Sequence, residues 1–189
     1  DVMKLDLAAL VAEHLPGLNP MVCANLPYNI TTPVLTRIVE AGCFSSLTVM
    51  IQREVARRIC AAPGTSDYGA FSLYMQYHTQ PELLFDVPPA CFYPAPKVTS
   101  SVLRCQMRSA PPVHPKDEAF FFQVVRGAFA LRRKTLLNSL SAAFGSACEK
   151  DLLRSAIADC GLPADIRGER LSMQEMSNLS DRLMELGLR

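Results

Sequence analysis

The chain has 189 residues, 49% of them hydrophobic and 20% charged, with a formal net charge of +1. This balance excludes a disordered polypeptide and provides for one large or two small domains with proper cores. A near-neutral total announces no polyanion partner, and no apolar run approaches the roughly 18 residues needed to span a bilayer.

The start, Asp1-Val2-Met3-Lys4, lacks the basic-then-apolar layout of a signal peptide, so a cytoplasmic protein is expected. A first residue that is Asp rather than Met suggests a sequence that begins mid-protein. The seven cysteines are odd in number, scattered and mostly in apolar surroundings, which reads as reduced thiols rather than a disulfide framework. With no C-x-x-C pair and with His14, His78 and His114 far apart, no metal site is expected.

Residues 2–10 carry Leu5, Leu7 and Leu10 ahead of Pro16-Gly17 and Asn19-Pro20, which fits a strand edge or a short helix ending in a turn. Met21-Val22-Cys23-Ala24 is a short apolar run of the kind found in buried parallel strands. It leads into Asn25-Leu26-Pro27-Tyr28, and these residue types at a strand's end suit one task. An exocyclic amine on a flipped-out base needs acceptors for two N–H groups and an aromatic face. The Asn25 side-chain oxygen and a backbone carbonyl at Leu26 or Pro27 can accept, Pro27 stiffens the turn, and Tyr28 can stack. An ordinary strand followed by a proline turn is the plainer reading of the same four residues.

Next, Thr31 or Thr32 is expected to cap a helix with Pro33 at its first position. Val34, Leu35, Ile38 and Val39 give its apolar stripe and Gly42 its end. Leu47–Ile51 reads as a second strand and 53–62 as a second helix, stopped by Pro63-Gly64, with Glu54 and Arg58 paired at i,i+4. Two strand–helix units predict a parallel sheet with crossover helices. Phe71–Tyr77 is helix or strand, Glu82–Val87 a strand, and Val98–Met107 a final strand with Val98, Ser100, Val102 and Arg104 on one face.

Three prolines within Pro111–Pro115 mark a stiff linker and the best domain boundary, dividing residues 1–109 from 110–189. Beyond it the pattern is helical. Residues 117–140 read as one helix carrying Phe121, Phe122, Val125, Phe129, Leu136 and Leu140, with Arg126 and Arg133 on nearly the same face. A further helix covers 151–160, and Ser172 with Glu175 forms a capping box for another. No acid interrupts the run from Arg126 through Arg132 and Arg133 to Lys134, so it reads as a nucleic-acid-binding stripe or as a solvated helix face.

In order along the chain, Asn25-Leu26-Pro27-Tyr28-Asn29-Ile30, Gln52-Arg53-Glu54-Val55-Ala56-Arg57-Arg58, Tyr68-Gly69 with Ser72, Phe92-Tyr93-Pro94-Ala95-Pro96-Lys97-Val98-Thr99-Ser100, Phe129 through Arg132-Arg133-Lys134 to Leu136, and Glu169-Arg170-Leu171-Ser172 resemble one family. It is that of the ribosomal RNA adenine N6,N6-dimethyltransferases, in its small-subunit (16S) or kasugamycin-resistance branch. The resemblance implies an α/β fold: the C-terminal part of a Rossmann-like methyltransferase sheet, followed by a small all-α RNA-binding domain. It also implies S-adenosylmethionine-dependent methylation of adenosines in small-subunit ribosomal RNA. Asn25, Leu26, Pro27, Tyr28 and Phe92 would form the catalytic pocket, with Tyr28 and Phe92 clamping the base. Asp1, Val2 and Asn25 would touch the cofactor, and Arg126, Arg132, Arg133 and Lys134 would hold RNA.

The family's glycine-rich cofactor loop is missing, since no G-x-G-x-x-G occurs. Most of the S-adenosylmethionine site is therefore expected to lie outside these residues, and the chain alone is expected to bind the cofactor poorly and not to turn over. A macrolide-resistance methylase of the large-subunit RNA shares the first and fourth motifs, but the Arg-Arg-Lys and Leu-Ser elements favour the small-subunit branch. A DNA adenine methylase more often has Asp at the first position of the tetrapeptide. A non-catalytic ribosome-assembly or RNA-binding module is the alternative from another class. The ribosomal subunit is the expected partner, with no membrane and no metal.

Overall fold

The computed structural model describes residues 1–145 and 148–188. By its contacts the chain divides into two units, residues 1–60 with 78–110 and residues 61–77 with 111–189.

The first unit is built on a four-stranded sheet of order β1-β2-β4-β3, from β1 (Met21–Asn25), β2 (Ser46–Gln52), β3 (Thr79–Val87) and β4 (Ser100–Met107). β1 and β2 are parallel, joined by helix α2 (Thr31–Ala41), as the strand–helix pattern requires. β4 is antiparallel to both its neighbours, so the expected parallel sheet is a mixed one. The reason lies in the connection: between β3 and β4 the chain holds only a 3-10 turn at Pro89–Cys91, too little for a crossover. Leu47, Val49, Ile51, Leu103 and Cys105 of the central strands form the core with Val34, Leu35 and Ile38 of α2 and Ala56 and Ile59 of α3 (Arg53–Cys60). Burial pushes the Cys105 thiol up to about 12.

The opening segment resolves as α1 (Leu7–His14), capped by the Asp6 side chain, which accepts from the Ala9 N–H at 3.0 Å. Glu54 and Arg58 pair at 2.8 Å on the exposed face of α3, as their spacing predicts. β1 is an edge strand with no partner on its outer side among the described residues, and Met21 there is 71% exposed. β3, the other edge, tolerates Pro81 for the same reason and is interrupted by a bulge between Leu83 and Phe85.

The second unit is helical. Its elements are α4 (Ala70–His78, whose last residue counts with the sheet), α5 (Glu118–Ala128), α6 (Leu136–Phe144), α7 (Lys150–Asp159) and α8 (Met173–Glu185, with the expected Ser172–Glu175 capping box). Phe121, Leu136, Leu140, Leu153, Leu171, Leu179 and Leu183 are its buried centre. Residues 61–77, expected in the first domain, join this unit because Tyr68, Leu73 and Tyr77 enter its core. The Tyr77 ring lies 5.5 Å from Phe121, and Tyr68 meets Phe129 edge-on at 5.6 Å.

The single helix expected over 117–140 is two helices. α5 ends at Ala128 with Phe129 (φ −98°, ψ 1°) as its C-cap, and α6 restarts behind Thr135, whose hydroxyl accepts from the Asn138 N–H. The Ser139 hydroxyl accepts from Leu131 N–H at 3.0 Å and donates to the Gly127 carbonyl at 2.7 Å, closing the turn. The helices cross at Gly127, where a Cβ would stand 3.1 Å from that of Ala143.

Candidate active site

β1 delivers the tetrapeptide. Its pairing runs to Asn25 opposite Met50, and the Leu26 N–H extends it by one bond to the Met50 carbonyl at 3.1 Å. Pro27 has no N–H to offer and ends the ladder. The chain then makes a 3-10 turn over Tyr28–Ile30 and enters α2. Neither threonine is the cap: Thr31 is already helical, and its hydroxyl donates back to the Pro27 carbonyl at 3.1 Å.

That bond makes the two carbonyls of the turn unequal. The Pro27 oxygen accepts from Thr31 Oγ1 and also from the Ile30 N–H at 3.2 Å, which uses both its lone pairs. No described donor reaches the Leu26 oxygen, although the Leu26 side chain is buried. The Asn25 side chain is exposed at the end of the strand and likewise free of partners among the described residues. Two acceptors without a described donor therefore fall on consecutive residues, a side chain at Asn25 and a carbonyl at Leu26.

Both residues line a cavity of about 290 Å³, together with Pro27, Tyr28, Phe92, Pro94 and Pro96. This is the low end of small-molecule sites and suits one planar heterocycle rather than a dinucleotide. Phe92 reaches it from the far side of the chain, set by the Pro89–Cys91 turn, onto whose Pro89 carbonyl its own N–H donates at 3.1 Å. Sequence elements 67 positions apart, Asn25 and Phe92, thus line one cavity.

Tyr28 is half-buried, and its phenol oxygen is 2.6 Å from the hydroxyl of Ser100, the fully buried first residue of β4. Sequence reasoning gives Ser100 no role; its place at the end of the Phe92 motif is the available signal. Next to it, Ser101 donates to Asp86 at 2.5 Å, and Arg53 lies 3.6 Å from the same carboxylate. The Ser101 bond first, and then the Arg53 charge, hold the Asp86 carboxyl below its usual range.

Not every expected residue comes to this cavity. Asp1 is exposed and caps the Val2–Lys4 turn, accepting from Met3 N–H at 3.0 Å; Val2 is half-buried in that turn, and neither lines the cavity. Arg126 sits in the last turn of α5, while Arg132, Arg133 and Lys134 occupy the connection before α6, so the four do not share one helix face. Arg132 donates to the Ser66 carbonyl at 2.5 Å. Arg126, Arg133 and Lys134 have no acidic partner among the described residues. No described trio of His, Cys, Asp or Glu is placed to hold a metal, and no described helix is long and apolar enough to cross a membrane.

A family model described as ribosomal RNA adenine dimethylase matches residues 1–172. The ribosomal RNA small subunit methyltransferase A of Alkaliphilus oremlandii is 46% identical over 184 residues, which cover 97% of this chain and 64% of that protein. The protein of the same name from Streptococcus gordonii is 45% identical over 191 residues, covering 100% and 66%. The chain therefore spans about two thirds of the length of the curated relatives it matches. Among solved structures, a dimethyladenosine transferase from Plasmodium falciparum superposes with a TM-score of 0.69 at 19% identity, over 88% of this chain and 68% of that one. The 23S rRNA methyltransferase ErmE gives 0.62 at 20% identity, over 96% and 80%.

Proposed function

Since the chain belongs to the ribosomal RNA adenine dimethylase family, we propose that the cavity at the end of β1 receives an adenine of small-subunit ribosomal RNA and presents its exocyclic amine for N6,N6-dimethylation. The observation that carries this reading is the pair of unclaimed acceptors, Asn25 Oδ1 and the Leu26 carbonyl, beside an aromatic-walled cavity of one-base size.

The amine's lone pair is delocalised into the purine ring and is a poor nucleophile at rest. When Asn25 and Leu26 each accept one N–H, the nitrogen is held pyramidal and its lone pair leaves the ring plane. Pro27 contributes stiffness rather than an acceptor, because Thr31 and Ile30 already occupy its oxygen. Tyr28 and Phe92 stack on the base, at about 1–3 kcal/mol per base. The contribution is positioning and electrostatic stabilisation, with no strong base required.

S-adenosylmethionine, when bound, supplies the methyl group. The residues present fit only a small part of that molecule: Asn25 is free and exposed at the cavity, Asp1 and Val2 lie outside it, and no glycine-rich loop occurs. The rest of its site belongs, in this reading, to the third of the relatives' length that the chain does not span, and the open edge of β1 supports that placement. Arg126, Arg132, Arg133 and Lys134 bind the RNA backbone from the helical unit. The small-subunit RNA is favoured over the large because the relatives at 45–46% identity carry the small-subunit name. The site of action is the cytoplasm, where the thiols stay reduced.

The test is Asn25→Ala in the protein as its gene encodes it. Turnover on small-subunit RNA falls by about 10²-fold or more, the scale of a lost transition-state hydrogen bond, while RNA affinity changes by less than about twofold. Equal losses in both would refute the assignment.

A further inference from the structure

Tyr28 opens a 3-10 turn with no side-chain cap, and its ring forms one wall of the cavity. The one described hydrogen bond on its hydroxyl goes to Ser100 Oγ at 2.6 Å, across 72 positions of sequence. Ser100 is held firmly. It pairs with Gln52 at the end of β2 and Val87 at the end of β3, and the residues on either side are tied down as well, through Arg53 N–H to the Thr99 carbonyl at 3.0 Å and through Ser101 to Asp86. The Ser100 hydroxyl has no other described hydrogen-bond partner, and the residue is fully buried. A hydroxyl in such a place needs a partner, and Tyr28 is the one it has.

A phenyl ring anchored only at Cβ can rotate about two side-chain bonds. A hydrogen bond from its far end to a rigid strand fixes the swing about Cα–Cβ, and so fixes where the ring stands as a wall for a flat ligand. We propose that Ser100 is a positioning residue for the target base, acting through Tyr28. The inference rests on the adenine reading above and adds to it. The segment Phe92 to Ser100 would then serve the base twice, with Phe92 as one wall and Ser100 as the anchor of the other.

The experiment is a double-mutant cycle of Ser100→Ala and Tyr28→Phe in the protein as its gene encodes it, reading kcat, RNA Kd and thermal stability. Each change deletes one end of the same bond and leaves the aromatic face in place. Each single variant is expected to lower kcat by about tenfold, the order of one hydrogen bond, with RNA Kd changed by less than about twofold. The double variant should be no worse than the poorer single within about twofold. If Ser100→Ala does not fold, Tyr28→Phe alone reads the bond from its half-buried end, and an unchanged kcat there overturns the proposal. Independent losses that multiply in the double variant also overturn it, as does a fall in RNA affinity that matches the fall in kcat. A parent protein that transfers no methyl group to small-subunit RNA refutes the adenine reading itself. A parent that does so, with variants equal to it, refutes only the role of Ser100.

Discussion

Of the glycines, Gly168 is the one at which an added Cβ comes nearest to other atoms, so Gly168→Ala is a sharp test of the packing in the helical unit. Gly168 starts the 3-10 turn Gly168–Arg170 and is itself buried, and a Cβ placed on it would stand 2.4 Å from the carbonyl oxygen of Ala128 and 2.9 Å from its carbonyl carbon. Ordinary packing distance lies about 1 Å further out. The obstructing atoms are backbone at the last residue of α5, so no rotamer change relieves the overlap. The turn cannot move away freely either, because the Ile166 carbonyl accepts from the Leu136 N–H at 2.7 Å and the Gly64 N–H donates to the Glu169 carbonyl at 2.7 Å. Leu171, fully buried just beyond, must shift with it.

Overpacking of this kind costs about 1–3 kcal/mol, and the absence of any yielding side chain puts Gly168→Ala near the upper end of that range. For a unit of about a hundred residues that lowers Tm by roughly 12–24 °C. Urea and thermal melts followed by far-ultraviolet circular dichroism read the effect. Gly69→Ala is the control, since its Cβ would meet nothing within 4 Å, and it should stay within about 0.5 kcal/mol of the parent. A Gly168→Ala protein that melts with the parent would show that the turn and the end of α5 are not held at this approach, and the reasoning from close packing would fail.

Charge reversal at Arg133 and Lys134 should weaken RNA binding more at low salt than at high salt and flatten the dependence of log K on log salt concentration by about one for each phosphate no longer engaged. A loss of affinity independent of salt would make these residues structural instead. Calorimetric titration of the 189-residue chain with S-adenosylmethionine should give no measurable binding in the micromolar range. A micromolar Kd would mean that Asp1, Val2 and Asn25 hold far more of the cofactor than their placement implies.

That the four residues of the tetrapeptide would lie together at a strand's end is readable, because they are contiguous and follow an apolar run. Which carbonyl is free is not readable, because Thr31 settles it by turning its hydroxyl back onto Pro27 rather than capping the helix. Helix α2 follows from its apolar spacing. A single helix over 117–140 does not, since the same spacing continues across the break at residues 129–135, and the break is made by Ser139 and by the close crossing at Gly127. Residues 61–77 leave their expected domain for a similar reason: Tyr68 and Tyr77 meet rings that lie beyond the linker, at Phe129 and Phe121. Ser100 shares an expected strand face with Val98 and Arg104, and nothing local shows that a tyrosine 72 positions earlier will meet its hydroxyl.

The two margins of the sheet differ in how they treat a stranger. β3 carries a proline, a bulge and the charges of Glu82 and Asp86, devices that discourage a foreign strand from adding on. β1, with the sequence Met-Val-Cys-Ala-Asn, carries none of them, and its Cys23 thiol is exposed. Any strand that adds to this sheet, including the part of the relatives' length that the chain does not span, is therefore met at β1 rather than at β3.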